Sequence, residues 1–167
     1  MKKINEETLK HVEEYAVEID RAVNRITKEY CDDLDEYVNI IDNVLRDEDN
    51  PVTDTELDKF AMNLSTLLYY ASAGAERLSV RDDISKSMYK EAYNTARTLI
   101  DKGTVADKNT QAELDTVEEY VTNIIYNKSY KIVKAKVESA QELLSSVKKV
   151  ISRRMNEFEL SRIQVNK

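Results

Sequence analysis

From Asp107 to about Ile163 the chain contains neither glycine nor proline. Its apolar side chains recur mostly in steps of three and four: Leu114, Val117, Val121 and Ile124, then Tyr130, Val133, Val137, Ala140, Leu144, Val147, Ile151, Met155 and Phe158. That spacing keeps them on one face of a helix, as a coiled-coil-like seam. An unbroken helix over this stretch runs about 85 Å. Such a helix cannot bury its seam against itself, so its partners must come from the rest of the chain, from other copies, or from both.

The same pattern appears at the other end. Leu9, Val12, Ala16, Ile19, Val23, Ile26, Tyr30, Leu34, Tyr37, Ile41 and Val44 predict a second long amphipathic helix, capped by Asn5, with Glu6 and Glu7 in its first turn and its end near Arg46. Asp47, Glu48, Asp49, Asn50 and Pro51 form the one strong break, since proline disfavours helix at the residue before it. The acidic spacing there lacks the glycine and the terminal glutamate of a calcium loop, and reads as a linker turn. Thr53 and Glu56 are spaced as a capping box for a helix carrying Leu57, Phe60, Leu64, Leu67, Leu68 and Ala71. The small residues from Ala71 to Ala75 suit a tight helix crossing. Ser79 is placed to cap a further helix with Ile84, Met88, Ala92, Ala96 and Leu99 on its apolar line, ended by Gly103.

The expected architecture is all-α: long amphipathic helices forming a helical hairpin and coiled-coil-like bundle, with oligomerisation. Its parts are an acidic N-terminal helix and turn over 1–50, a central helical hairpin over 51–106, and a long basic C-terminal helix over 107–167. Two glycines and one proline supply too little turn chemistry for a sheet protein. No apolar run approaches the length of a membrane span, and the start of the chain does not read as a signal peptide. The single Cys31 cannot form an intramolecular disulfide, which favours a reducing, intracellular setting.

Charge is unevenly spread. Residues 128–167 carry +6 and residues 1–127 carry −13, for a total of −7. An acidic body with a basic end can pair head to tail with itself or offer the basic end to a polyanion.

Little points to catalysis. His11 is the only histidine, so one chain can build neither a histidine-based triad nor a multi-histidine metal site. No Glu-x-x-His pair and no glycine-rich phosphate loop occurs, and the acidic neighbours of Cys31 oppose a thiolate. The expectation is a protein that is not an enzyme and needs no cofactor or metal. Recognition residues are concentrated instead in the last helix. Lys131, Lys134 and Lys136 form one basic group, and Lys148, Lys149, Arg153 and Arg154 a second, with Ser145, Ser146 and Ser152 among the latter. Such a strip can neutralise phosphates without reading sequence. Tyr126 and Tyr130 either stack bases or belong to the seam. The acidic counterpart is Asp32, Asp33, Asp35, Glu36 and Asp42 on the first helix.

The stretches Lys90–Arg97, Gly103–Lys108 and Ser146–Met155 resemble small helical proteins encoded by tailed phages. More remotely, the order of parts over residues 57–163 is similar to UvsY-type recombination mediators. That resemblance implies an oligomeric, single-stranded-DNA-binding accessory of recombination, working in the cytoplasm of an infected bacterial host. It assigns DNA contact to Lys148, Lys149, Arg153 and Arg154. The chain departs from that family in its acidic net charge and its long acidic first helix. Two other readings stand beside it: an acidic inhibitor that mimics DNA toward a host DNA-binding protein, and an assembly scaffold.

Overall fold

The computed structural model describes residues 6–47 and 49–165. The expected cap Asn5 and the linker residue Glu48 lie outside these, as do the side chains of Glu6, Glu7, Leu9, His11 and Ile163. The described residues are all-α, with no strand. The helices are α1 (Glu6–Arg46), α2 (Asp54–Leu99), α3 (Val105–Asp115) and α4 (Val117–Val165). No helix among the described residues is long and apolar enough to cross a membrane.

The boundaries correct the sequence expectation twice. First, no hairpin divides 51–106, because α2 runs unbroken through Ser79. The reason is the stripe on its buried face. Leu57, Phe60, Leu64, Leu68, Ala71, Ala75 and Leu78 recur in steps of three and four. The same stepping passes onto Asp82, buried Ser85 and half-buried Tyr89 without a change of phase. The apolar line through Ile84 and Met88 is therefore on the wrong side, and both residues are exposed. Second, the long C-terminal helix does not start at Asp107. Thr104 caps α3 in a reciprocal capping box with Asp107, and the helical path is interrupted at Thr116 (φ −121°, ψ 22°). The Thr116 hydroxyl donates to the Ala112 carbonyl at 2.7 Å, a back-bond that bends helices. Beyond it α4 continues through Asn127, Lys128 and Ser129 without a break.

The chain divides into two compact units, one of residues 1–29 and 75–132, the other of residues 30–74 and 133–167. In the second unit, Leu34 and Ile41 of α1, Leu57, Phe60, Leu64 and Leu68 of α2, and Val137, Ala140 and Val147 of α4 make one core. A Cβ placed on buried Gly74 would meet the Tyr30 ring at 2.6 Å, so the small-residue segment is a close helix crossing. The expected capping box at the start of α2 is present. Thr53 N–H donates to Glu56 Oε2 at 2.8 Å, and Glu56 N–H to Thr53 Oγ1 at 3.3 Å. Before it, Asp47 Oδ1 and Oδ2 accept from Asp49 N–H and the Asn50 amide, shaping the linker turn.

Among the described residues of the first unit, the buried apolar ones are Val23, Ala75, Leu78 and Ala112. Between α2 and α4 lies a polar layer. The Asn123 amide donates to Ser85 Oγ at 3.1 Å and the Asn127 amide to Asp82 Oδ2 at 3.0 Å. Ser85 Oγ in turn donates to the Asp82 carbonyl. Gly103, with φ +121°, makes the turn that delivers the chain into the Thr104 cap.

Candidate nucleic-acid interface

Side chains on α4 advance about 100° around the axis per residue. Counted this way, Lys134, Lys148, Lys149 and Ser152 share one exposed face, with Arg153 at its margin, and all five are exposed. Lys136 and Arg154 fall on the opposite side, next to the seam, and both are half-buried. One helical register thus separates the basic residues into a solvent group and a structural group.

The structural group is already engaged. Lys136 Nζ pairs with Asp35 Oδ2 of α1 in the second unit. Arg154 Nη1 donates to the Val52 carbonyl at 2.8 Å and to Asp54 Oδ1 at 2.9 Å, fastening α4 to the start of α2. Arg154, expected to contact DNA, therefore has another role, and Asp35 is removed from the free acidic surface. Cys31 is only 1% exposed beside this ion pair. Burial pushes its thiol pKa up, and the Asp35 charge adds to that against the opposing Lys136. Such a thiol is poorly suited to nucleophilic work.

The solvent group is less uniform than the sequence suggests. Lys134 approaches Glu138 at 4.0 Å, and Arg153 approaches Glu157 at 3.7 Å. Ser152 Oγ donates to the Lys148 carbonyl at 3.0 Å, and Ser145 and Ser146 likewise back-bond to Gln141 and Glu142. Their hydroxyl protons are therefore spent within the helix. Lys148 and Lys149 form no ion pair among the described residues and are the most available charges. Lys131 is exposed but belongs to the first unit, as do Tyr126 and Tyr130, both half-buried. The exposed aromatic pair of the second unit is one the sequence reading passed over. Tyr69 and Tyr70 of α2 stand edge to face, 5.4 Å apart, and both are mostly exposed. Their signal was their place opposite the Leu64–Leu68–Ala71 stripe.

On α1, Asp32, Asp33, Glu36 and Asp42 are exposed. Asp42 is paired with Arg46 at 2.8 Å one turn on. Among the described residues no cluster of three or more His, Cys, Asp or Glu side chains is arranged to hold a metal ion. Neither a scan of protein-family models nor searches of curated proteins and of solved structures finds a match to this chain.

Proposed function

We propose that this protein is a non-enzymatic, oligomeric helical accessory factor of phage DNA replication or recombination. It acts in the cytoplasm of an infected bacterial cell and holds single-stranded DNA weakly through the exposed face of α4. The observation that carries this reading is the sorting of basic residues on α4. Lys134, Lys148, Lys149 and Arg153 stand in solvent, while Lys136 and Arg154 serve the fold. Four cations on one side of a helix suit a phosphate backbone read by charge rather than by base identity. The nearby Glu138, Glu142 and Glu157 dilute that charge, so binding should be weak and easily lost to salt.

Fluorescence anisotropy of labelled oligo-dT across a salt series tests this. Retention at low salt should fall steeply as salt rises, and Lys149→Glu with Arg153→Glu should abolish it while circular dichroism stays unchanged. Undiminished retention in that folded double variant would remove the assigned interface.

A second reading rests on the exposed acids Asp32, Asp33 and Glu36, which give α1 a line of negative charge. In that case the protein occupies the DNA site of a host DNA-binding protein. Competition with DNA for such a protein, relieved by neutralising these three residues, would favour it over direct DNA retention.

A further inference from the structure

At the C-terminal half of α2, where it meets α3 and the start of α4, the first unit opens a groove of about 670 Å³. Its apolar lining is Met88, Ala92, Ala96, Leu99 and Ile100. The two alanines leave the floor low, and Met88 and Leu99 stand exposed beside it. Three charged residues line the groove, Glu91, Asp115 and Glu119, and all three are acidic.

Outside the groove and its neighbourhood, two helix ends with exposed apolar side chains are candidates to fill it. One is the beginning of α1, where Val12, Tyr15 and Val17 are exposed among Glu13, Glu14, Glu18 and Asp20. The other is the end of α4. There Met155 and Phe158, one step apart on the line that begins at Ile151, are 61% and 65% exposed. Arg162 continues that line, its guanidinium 5.9 Å from the Phe158 ring centre. From Lys148 to Arg162 inclusive there are five basic residues and two acidic ones. An acidic rim repels the first end and attracts the second.

We propose that the acidic groove between α2 and α3–α4 receives the end of α4 from a second copy of this chain. Met155 and Phe158 fill the space over Ala92 and Ala96, and Arg162, on the same face of α4, meets the acidic rim of Glu91, Asp115 and Glu119. This is a helix laid into an apolar groove and oriented by flanking charge. Because groove and helix end are different surfaces, the contact is heterologous and each added copy offers a fresh site, which builds a ring or an open chain. The inference rests on the oligomeric part of the proposed function and not on its DNA part.

Light scattering coupled to size exclusion tests it on the full chain. The parent should show a mass above one chain that grows with concentration. Met155→Ser with Phe158→Ser should reduce it to a monomer, and so should Glu91→Lys with Glu119→Lys. Circular dichroism of each variant must match the parent. The deciding step is to mix the two monomeric variants. One keeps an intact groove and the other an intact helix end, so the mixture should form a two-chain complex that grows no further. A monomeric parent, a helix-end variant that keeps the parent's mass, or a mixture that stays monomeric would each overturn the proposal. Lys148, Lys149 and Arg153 remain in place in the Met155 and Phe158 variant. Anisotropy with oligo-dT on that variant therefore reads the DNA proposal separately.

Discussion

Gly74 is where one residue limits how closely two helices pack. Its missing side chain admits the Tyr30 ring, which a Cβ would meet at 2.6 Å. Alanine at this position would gain about 1 kcal/mol of helix propensity. Against that, overpacking a filled site typically costs roughly 1–3 kcal/mol. Gly74→Ala should therefore be net destabilising by about 1 kcal/mol, read as a lower midpoint in urea with an unchanged slope. A stabilised variant would mean that the ring yields freely and that the crossing is looser than its distances. The tight crossing was legible in the run Ala71–Ala75; its partner, Tyr30, was not, because nothing local ties residue 30 to residue 74. Arg154 shows the same limit more sharply. Its partner Asp54 lies 100 residues away, so a basic residue on a basic helix was read as a DNA contact when it is a fastening. Replacing it with methionine should cost about 1 kcal/mol of stability, the loss of charge-assisted hydrogen bonds at a partly exposed site. Oligo-dT retention should not change, and a drop in retention would return Arg154 to the binding strip.

At the scale of helices, termini were more legible than phase. Capping boxes are local, and both Thr53–Glu56 and Thr104–Asp107 form; only the first has the usual glutamate three residues after its threonine, and the second has an aspartate there. Each acid accepts hydrogen bonds from the backbone N–H and the hydroxyl of its threonine, and these hold the carboxyls of Glu56 and Asp107 below their ordinary pKa. A depressed folded-state pKa contributes stability that is present above the unfolded value and is lost as pH falls through the folded one. Glu56→Gln with Asp107→Asn should accordingly lower the thermal midpoint at neutral pH and flatten its decline through the carboxylate range. Parallel acid profiles for parent and variant would show that the boxes carry no such linkage. Phase failed where the core turns polar. Periodicity assigns the buried face by hydrophobicity, so it chose Ile84 and Met88 over Asp82 and Ser85. The amide donors of this layer, Asn123 and Asn127, lie 38 and 45 residues further along the chain. Thr116 was invisible for a related reason: the leucine and valines around it keep a helical rhythm, while a single back-bonding hydroxyl bends the backbone.

Across the whole chain, the two units differ in what holds them. The second buries Leu34, Ile41, Leu57, Leu64, Leu68 and Val137 in one contiguous cluster. The first, among the described residues, buries Val23, Ala75, Leu78 and Ala112 beside the polar groups Thr27, Ser85 and Thr116. Burial of a leucine or isoleucine side chain is worth roughly 1.5–3 kcal/mol, and an alanine or a back-bonded threonine far less. Long helices depend on such packing, since isolated segments are marginal in water. The apolar seam is legible where it is buried, from Val23 to Ile41 and from Val133 to Val147, whereas its expected members Val12, Ala16, Leu114, Val117, Met155 and Phe158 are exposed; nor does spacing show how thin the first unit's core is, because Asp82 and Ser85 occupy stripe positions that spacing alone fills with apolar residues. Native-state hydrogen exchange gives this difference a measurable form. Within α2, amides from about residue 80 to 99 should open at lower free energy than those from about 57 to 72. Within α4, amides from about 118 to 131 should exchange faster than those from about 134 to 148. These comparisons lie inside single helices, so helix formation as such does not separate the segments; packing does. Leu64→Ala, which empties a fully buried position, should cost about 2–5 kcal/mol. It should also erase the protection gap by lowering the more stable unit toward the other. Equal protection along α2 and α4 in the parent would mean that the polar layer holds its unit as firmly as the apolar cluster holds the other.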